Sequence, residues 1–244
     1  MTRITIASIV ALLAALVLLV FHRVTTAEPM YPPADAEPTT AFVVSREQFD
    51  KAFPNRNPFY SYDDFVAALT SYPSFAATGD DTTRKREAAA FFGNVYHETG
   101  GLTLIEEDAH MRSTYCDAEM SFGCPAGKDA YFGRGPAQLS WNYNYRDAGD
   151  ALGVDLLANP ALLEHDPVLA WRTALWFWTT QAASAAATPH DAMVRDMGFG
   201  ETVRAFNGAL ECDGNNPSQV QSRVDAYLRM SRLLGVAPGR NLEC

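Results

Sequence analysis

From about residue 42 onward, apolar residues recur at helical spacing, and no alternating run is long enough to predict a strand. The longest apolar stripe predicts a helix that is capped by Asp81 or Thr82 and ends near Thr99, because Gly100-Gly101 follows it. The pattern therefore predicts a mainly α fold with long ordered loops between helices. Polar caps, some followed by proline, predict further helix starts at Ser45, Ser61, Asp166-Pro167, Thr188-Pro189 and Asn216-Pro217.

The first 41 residues have a different pattern. An apolar run over residues 4–21 predicts a targeting segment over residues 1–27, which acts either as a cleaved signal peptide or as a retained membrane anchor. Both alternatives stay open, and both predict a secreted or extracytoplasmic protein. Residues 28–41 hold four prolines among acidic and small residues, which predicts an extended linker. The folded domain is therefore expected over residues 42–244.

The net charge of the chain limits the classes of partner that it is expected to bind. The 244-residue chain has a net charge of -10, whereas nucleic-acid binding needs a basic patch. We therefore expect no nucleic-acid partner. A neutral polymer is compatible with the acidic surface, and a monomer is the expected state.

Four cysteines remain in a chain that we expect to be exported, so disulfides are the default interpretation. Three pairings are available. We favour Cys116–Cys124, which closes a short loop, and Cys212–Cys244, which ties back the C-terminus. A zinc site is the rival, but the spacings match no paired-ligand pattern.

Two acidic positions are candidates for acid–base chemistry. Glu98 lies in the last turn of the predicted helix, where backbone carbonyls disfavour a carboxylate and so favour the protonated form that a general acid needs. Glu107 follows nine residues later, beyond a double glycine that lets the chain turn back. Inverting glycosidases need two carboxyls about 6.5–9.5 Å apart. The spacing in sequence does not fix that distance, Glu106 and Asp108 compete with Glu107, and solvated glutamates are the plainer interpretation.

The segment from Tyr131 to Tyr145 mixes glycines, amides and aromatic rings. Sugars present hydroxyls at their edges and apolar faces, so the mixture is typical of a saccharide groove. A structural loop closed by its own amides is the alternative. The polar groups are Gln138, Ser140, Asn142 and Asn144, and the flat rings are Tyr131, Trp141 and Tyr143.

At this point the chain resembles family 19 of the glycoside hydrolases, the chitinases of plants and of bacteria such as streptomycetes. The resemblance covers about Val43 to Cys244. It implies a bilobal, lysozyme-like, mainly α fold with a substrate cleft, and endo-cleavage of β-1,4-linked N-acetylglucosamine chains with inversion and without a cofactor or metal. The matching stretches are FFGNVYHETGGL, GCPAGKDAYFGRGPAQLSWNYNYRDAGDALGVDLLANP, ALWFW, FNGALEC, QSRVDAY and GVAPGRNLEC.

The resemblance also implies residue roles. Glu98 is similar to the general acid and Glu107 to the general base, while Ser140 resembles the residue that helps to hold the attacking water. Glu211 and Arg223 resemble an ionic network behind Glu98. The family pattern supports the two favoured disulfides. Residues that resemble sugar contacts or line the cleft are His97, Tyr131, Gln138, Tyr143, Asn144 and Asn207.

Other functions stay open beside this one. The loop AHMRSTY between Asp108 and Cys116 departs from the asparagine-rich version expected in the family. A muramidase that cleaves peptidoglycan is the main alternative, since both polymers contain N-acetylglucosamine. A catalytically inactive chitin-binding protein is a further alternative, but it should have lost one of the two carboxylates. A structural export domain does not explain why amides, glycines and aromatic residues concentrate together.

Overall fold

A computed structural model describes residues 42–244. The predicted targeting segment and linker over residues 1–41 lie outside the described residues. Within the described part, the backbone forms isolated bridges but no strand. Its helices are α1 (Arg46–Ala52), α2 (Tyr62–Leu69), α3 (Asp81–Thr99), α4 (Asn142–Leu152), α5 (Leu162–His165), α6 (Pro167–Thr180), α7 (Pro189–Val194), α8 (Phe199–Glu211) and α9 (Pro217–Leu233).

The predicted helix starts are confirmed, with two differences in their caps. Ser45 and Gln48 form the expected capping box at α1. Helix α3 is capped by Asp80, one residue earlier than expected, because its carboxylate accepts the backbone N–H of Thr83 at 2.8 Å. Helix α9 begins after Asn216 as predicted, but the Asn216 side chain makes no capping bond.

The larger hydrophobic cluster surrounds α3, which is buried on almost every side. Helices α3 and α9 approach closely at Gly93, where a Cβ atom would lie 2.9 Å from the Cα of Tyr227. Burying each large aromatic side chain here contributes roughly 2–3 kcal/mol. The cluster includes Phe49, Phe53, Phe65, Phe91, Phe92, Trp171, Trp178 and Tyr227.

A second, smaller cluster packs around Tyr131, Leu139, Tyr145, Leu156 and Leu163. Helix α6 contributes to both clusters and joins them, since some of its apolar residues pack into each. The predicted mainly α fold is thus confirmed, and we call the parts built around the larger and the smaller cluster the large lobe and the small lobe.

Arg134, the arginine of the Gly-Arg-Gly stretch, is a structural residue of the small lobe. It is 4% exposed, and its Nε lies 2.5 Å from Glu164. Its Nη1 donates to the Tyr145 hydroxyl at 2.9 Å and to the Ala130 carbonyl at 2.7 Å. A buried guanidinium needs this full set of partners to offset its desolvation.

Both favoured disulfides are present, Cys116–Cys124 and Cys212–Cys244. All four cysteines are therefore used, and residues 42–244 contain no group of three or more metal-ligating side chains. None of the helices described above has both the length and the apolar run needed to cross a membrane.

Helix α4 was not expected, because its first residues were interpreted as part of a saccharide groove. Asn142 is fully buried and does not face a groove. Its side-chain oxygen accepts the Asp117 N–H at 2.9 Å, and its amide donates to the Asp117 and Gly123 carbonyls at 2.9 Å each. The plainer interpretation, an amide that closes a structural loop, is correct for this residue.

Candidate active site

Glu98 lies in the last turn of α3, where Gly100 ends the helix at a φ of 59°. Its side chain is 15% exposed, and its Oε1 accepts a hydrogen bond from Arg223 Nη2 at 2.6 Å. The buried guanidinium therefore fixes the direction of the Glu98 carboxyl.

Arg223 is fully buried on α9 and connects three helices. Its Nε and Nη2 bind both oxygens of Glu211 at 2.7 and 2.8 Å, and its Nη1 donates to Asn94 at 3.1 Å. The structure therefore brings together Glu98, Glu211 and Arg223, which had been assigned to one ionic network. Asn94 is a further member that the sequence analysis missed.

Asn207 completes the support of Glu211. Helix α8 is kinked at Asn207, with φ -143° and ψ 30°, and the Asn207 amide donates to Glu211 Oε1 at 3.0 Å. Burial works to raise the pKa of Glu211, but the hydrogen bonds and charge of Arg223 and the bond from Asn207 outweigh it and hold the pKa below its ordinary value. Glu211 is therefore the firmly ionised carboxylate of the network.

His97 stands next to Glu98 but does not carry charge. Its Nδ1 lies 3.0 Å from the Ser222 hydroxyl. Burial lowers the pKa of His97 to about 4, and the nearby Arg223 adds to this effect. Near neutral pH the imidazole is therefore a neutral hydrogen-bonding group.

These residues open onto a cleft of about 560 Å³. This volume lies within the range of about 300–1,000 Å³ that is common for ligand sites. The cleft is lined by His97, Glu98, Gly100, Leu104, Met111, Asn207, Leu210, Glu211, Asn216, Gln219, Ser222 and Arg223.

Glu107 is held by neutral donors from the small-lobe side. Its Oε1 accepts the Tyr115 hydroxyl at 2.8 Å, and its Oε2 accepts the Gly133 N–H at 3.2 Å. The Glu107 N–H in turn donates to the Gly133 carbonyl at 2.8 Å. Burial, together with the bond to Glu107, raises the pKa of Tyr115 to about 12, so the hydroxyl stays protonated and donates.

The neighbouring Glu106 has a different environment. Its side chain is 44% exposed and pairs with Arg112 at 3.0 Å. Between the two glutamates, only Glu107 therefore has both carboxylate oxygens held in fixed directions. The two neighbouring glutamates therefore differ in how firmly the structure holds their carboxyl groups.

Ser140, Gln138, Asn144 and Tyr143 all lie around the turn that leads into α4. The Asn144 amide donates to the Ser140 carbonyl at 2.9 Å, and the Gln138 amide donates to the Gly135 carbonyl at 3.0 Å. The Tyr143 ring stacks on Trp141 at 5.6 Å. All four residues of this group are half-buried, so each retains surface that a ligand can reach.

Comparison with known proteins identifies the family of this chain. A model described as class I chitinase, glycoside hydrolase family 19, matches residues 43–244. The chain belongs to glycoside hydrolase family 19. It is similar to Chitinase 6 of Oryza sativa subsp. japonica, with 43% identity over 225 residues that cover 89% of this chain and 80% of the rice protein.

Solved structures of family 19 enzymes share the lysozyme-like helical fold of this chain. Chitinase C from Streptomyces griseus is 55% identical, with a TM-score of 0.83, over 85% of this chain and 100% of that chain. A class IV family 19 chitinase from Zea mays is 42% identical, with a TM-score of 0.72, over 83% of this chain and 98% of that chain.

Within this family 19 site, Tyr131 is placed differently from the expectation that it lines the cleft. It is fully buried in the small lobe, and its hydroxyl donates to the Leu157 carbonyl at 2.8 Å. Its aromatic character was interpreted as a sugar-stacking signal but serves packing instead. The sequence analysis also missed Tyr115, whose contact with Glu107 has no local signal because the two residues lie eight positions apart in an irregular loop.

Proposed function

We propose that this glycoside hydrolase is an endo-acting chitinase that cleaves β-1,4-linked N-acetylglucosamine chains with inversion. The observation that carries the proposal is a pair of separately supported carboxyls. Glu98 is held by an ionic network at the cleft, and Glu107 is held by two neutral donors. Curated relatives named endochitinase, such as that of Phaseolus vulgaris at 40% identity, support the same substrate.

In this mechanism Glu98 is the general acid. Arg223 fixes one oxygen of Glu98, while the other makes no hydrogen bond to any residue of the described part of the chain. That second oxygen is available to give its proton to the glycosidic oxygen as the bond to the anomeric carbon breaks. The leaving chain departs with the proton that Glu98 supplied.

Glu107 is the general base. The Tyr115 and Gly133 donors fix the direction of its two carboxyl oxygens. A water on the opposite face of the sugar attacks the anomeric carbon and passes its proton to Glu107, with the half-buried Ser140 hydroxyl helping to hold that water. In each hydrolysis Glu98 therefore gives up one proton and Glu107 takes one from the water, and proton exchange with solvent restores both groups.

Two disulfides are typical of proteins in oxidising compartments, which supports an extracytoplasmic enzyme. Within this proposal, residues 1–27 act as the targeting segment and residues 28–41 as the linker. Chitin is the proposed partner, and a monomer suffices because one chain carries both carboxyls.

The experiment incubates the full chain with the hexamer of N-acetylglucosamine and, separately, with peptidoglycan, and follows the products and their anomeric form. We expect fresh α-anomer from the hexamer. Release from peptidoglycan alone would replace the substrate while keeping the two-carboxyl mechanism. A β-anomeric product would contradict inversion.

Mutations then test the roles. Glu98→Gln and Glu107→Gln should each lower kcat by roughly 10²–10⁴-fold, the usual contribution of a positioned acid or base. Glu106→Gln is the matched control, and its exposed ion pair predicts a change of less than about threefold. Equal, mild losses at Glu106 and Glu107 would show that the base lies elsewhere.

A further inference from the structure

Two apolar side chains that line the cleft, Met111 and Leu210, are largely exposed to solvent. Met111 is 74% exposed and Leu210 is 70% exposed, the highest values among large hydrophobic residues in the part of the chain that the structure describes. Both line the cavity that contains Glu98. Scattered exposed apolar residues are ordinary on protein surfaces. Here, however, the two most exposed ones converge on one cavity, which indicates a contact with a ligand.

The charged groups of the same cavity bear on which sugar unit it prefers. Glu211 pairs with Arg223, and Glu98 carries a proton in the proposed mechanism, so the charged groups of the cavity balance one another. The lowered pKa of His97 keeps that residue neutral. Charge therefore does not choose between a cationic glucosamine unit and a neutral N-acetylglucosamine unit, and the choice depends on the uncharged side chains of the cavity.

We propose that Met111 and Leu210 contact the acetamide methyl of the N-acetylglucosamine unit beside Glu98 and so make the cleft prefer an acetylated unit to glucosamine. The inference rests on the proposed chitinase function. Branched and thioether side chains fit a compact methyl group, whereas flat aromatic rings suit the face of a pyranose. An ammonium group placed against the same pair would lose hydration without gaining a partner.

The position of Met111 strengthens the argument. It lies in the AHMRSTY loop, close after the candidate base Glu107 in sequence, and comes from a different part of the chain than Leu210 on α8. Both residues nevertheless line one cavity, so a ligand can contact them together. The long, flexible methionine side chain can adapt to a bound group without moving the backbone.

The test compares the double variant Met111→Gln/Leu210→Asn with the double variant Met120→Gln/Leu162→Asn. The control residues have the same types and are 38% exposed each, but they do not line the cleft. Substrates are the fully acetylated hexamer and half-acetylated chitosan. For the cleft variant we expect a rise of about tenfold in KM for the hexamer, with kcat within about twofold of the wild type.

The same variant should also release products with more glucosamine at their new chain ends, measured by mass spectrometry, while the control variant matches the wild type. An active wild type whose product ends and KM are unchanged in the cleft variant would overturn this inference alone. A loss confined to kcat would also overturn it, because it would show a catalytic and not a selective role. A wild type inactive on both substrates would overturn the proposed function and this inference with it.

Discussion

Replacing Arg223 with lysine tests how strongly the buried ionic network stabilises the cleft. The guanidinium of Arg223 makes four hydrogen bonds, two to Glu211, one to Glu98 and one to Asn94. Lysine keeps the positive charge but lacks the planar fork of arginine. It therefore cannot hold both oxygens of Glu211 and also reach Glu98 and Asn94.

The magnitude follows from the number of bonds lost and from burial. A hydrogen bond to a charged group contributes about 1.5–3 kcal/mol. If two of the four bonds are lost at this fully buried site, the free energy of unfolding should fall by about 3–5 kcal/mol. For a domain of this size, each kcal/mol lowers Tm by roughly 2–4 °C, which predicts a decrease of about 6–20 °C.

The assay is thermal unfolding, with Arg204→Lys as the matched control. Arg204 also binds both oxygens of a carboxylate, Asp213, at 2.7 and 2.9 Å, but Asp213 is 68% exposed. An exposed pair of this kind contributes at most about 1 kcal/mol, so the control should lose less than about 4 °C. Equal decreases in Tm for the two variants would refute the reasoning, because burial would then not decide the cost.

Two further predictions use groups outside this network. Tyr115→Phe removes a donor to Glu107 without changing shape, and kcat should fall by about tenfold while Tm changes by only a few degrees; an unchanged kcat would show that Glu107 needs no such support. The hydrogen bond from His190 to the buried Glu87, 2.7 Å long, raises the pKa of His190 above 6.5, with smaller contributions from the charges of Glu87 and Asp191. Its stabilisation is therefore complete below the unfolded value of about 6.5 and is lost as pH rises through the folded pKa. The Tm difference between wild type and His190→Gln should be largest below the unfolded value of about 6.5 and should shrink as the pH rises above it, and a difference independent of pH would contradict this.

Helix starts were predictable because their determinants are local. The capping box of Ser45 and Gln48 and the aspartate before Pro167 act within a single turn, so a short stretch of sequence contains the whole interaction. Helix α4 was not predictable in this way. Its first residue, Asn142, is fixed by the Asp117 backbone, 25 residues away in sequence, and by Gly123.

The same contrast between local and long-range contacts applies to the residues of the candidate site. Glu98 became a candidate from a helix end, which is a local signal, and its role as acid came from the family resemblance. Glu107 was preferred to Glu106 only through the family resemblance, since the physical difference lies in contacts with Tyr115 and Gly133 that only the folded chain brings close. Tyr131 was misplaced because an aromatic residue in a glycine-rich stretch is equally compatible with a groove and with a core.

The two carboxyls are held by chemically different partners, and this difference supports their roles. Glu98, Glu211 and Arg223 form a cluster in which two carboxyls share one buried cation, so full ionisation leaves an uncompensated negative charge at low exposure. Arg223 and Asn207 hold Glu211 in its ionised form, and Glu98 is the more exposed of the two carboxyls, at 15% against 5%. Glu98 is therefore the carboxyl of this cluster that a substrate can reach, as its proposed role as acid requires. Glu107 shares no buried cation with a second carboxyl and is held by two neutral donors, as its proposed role as base allows.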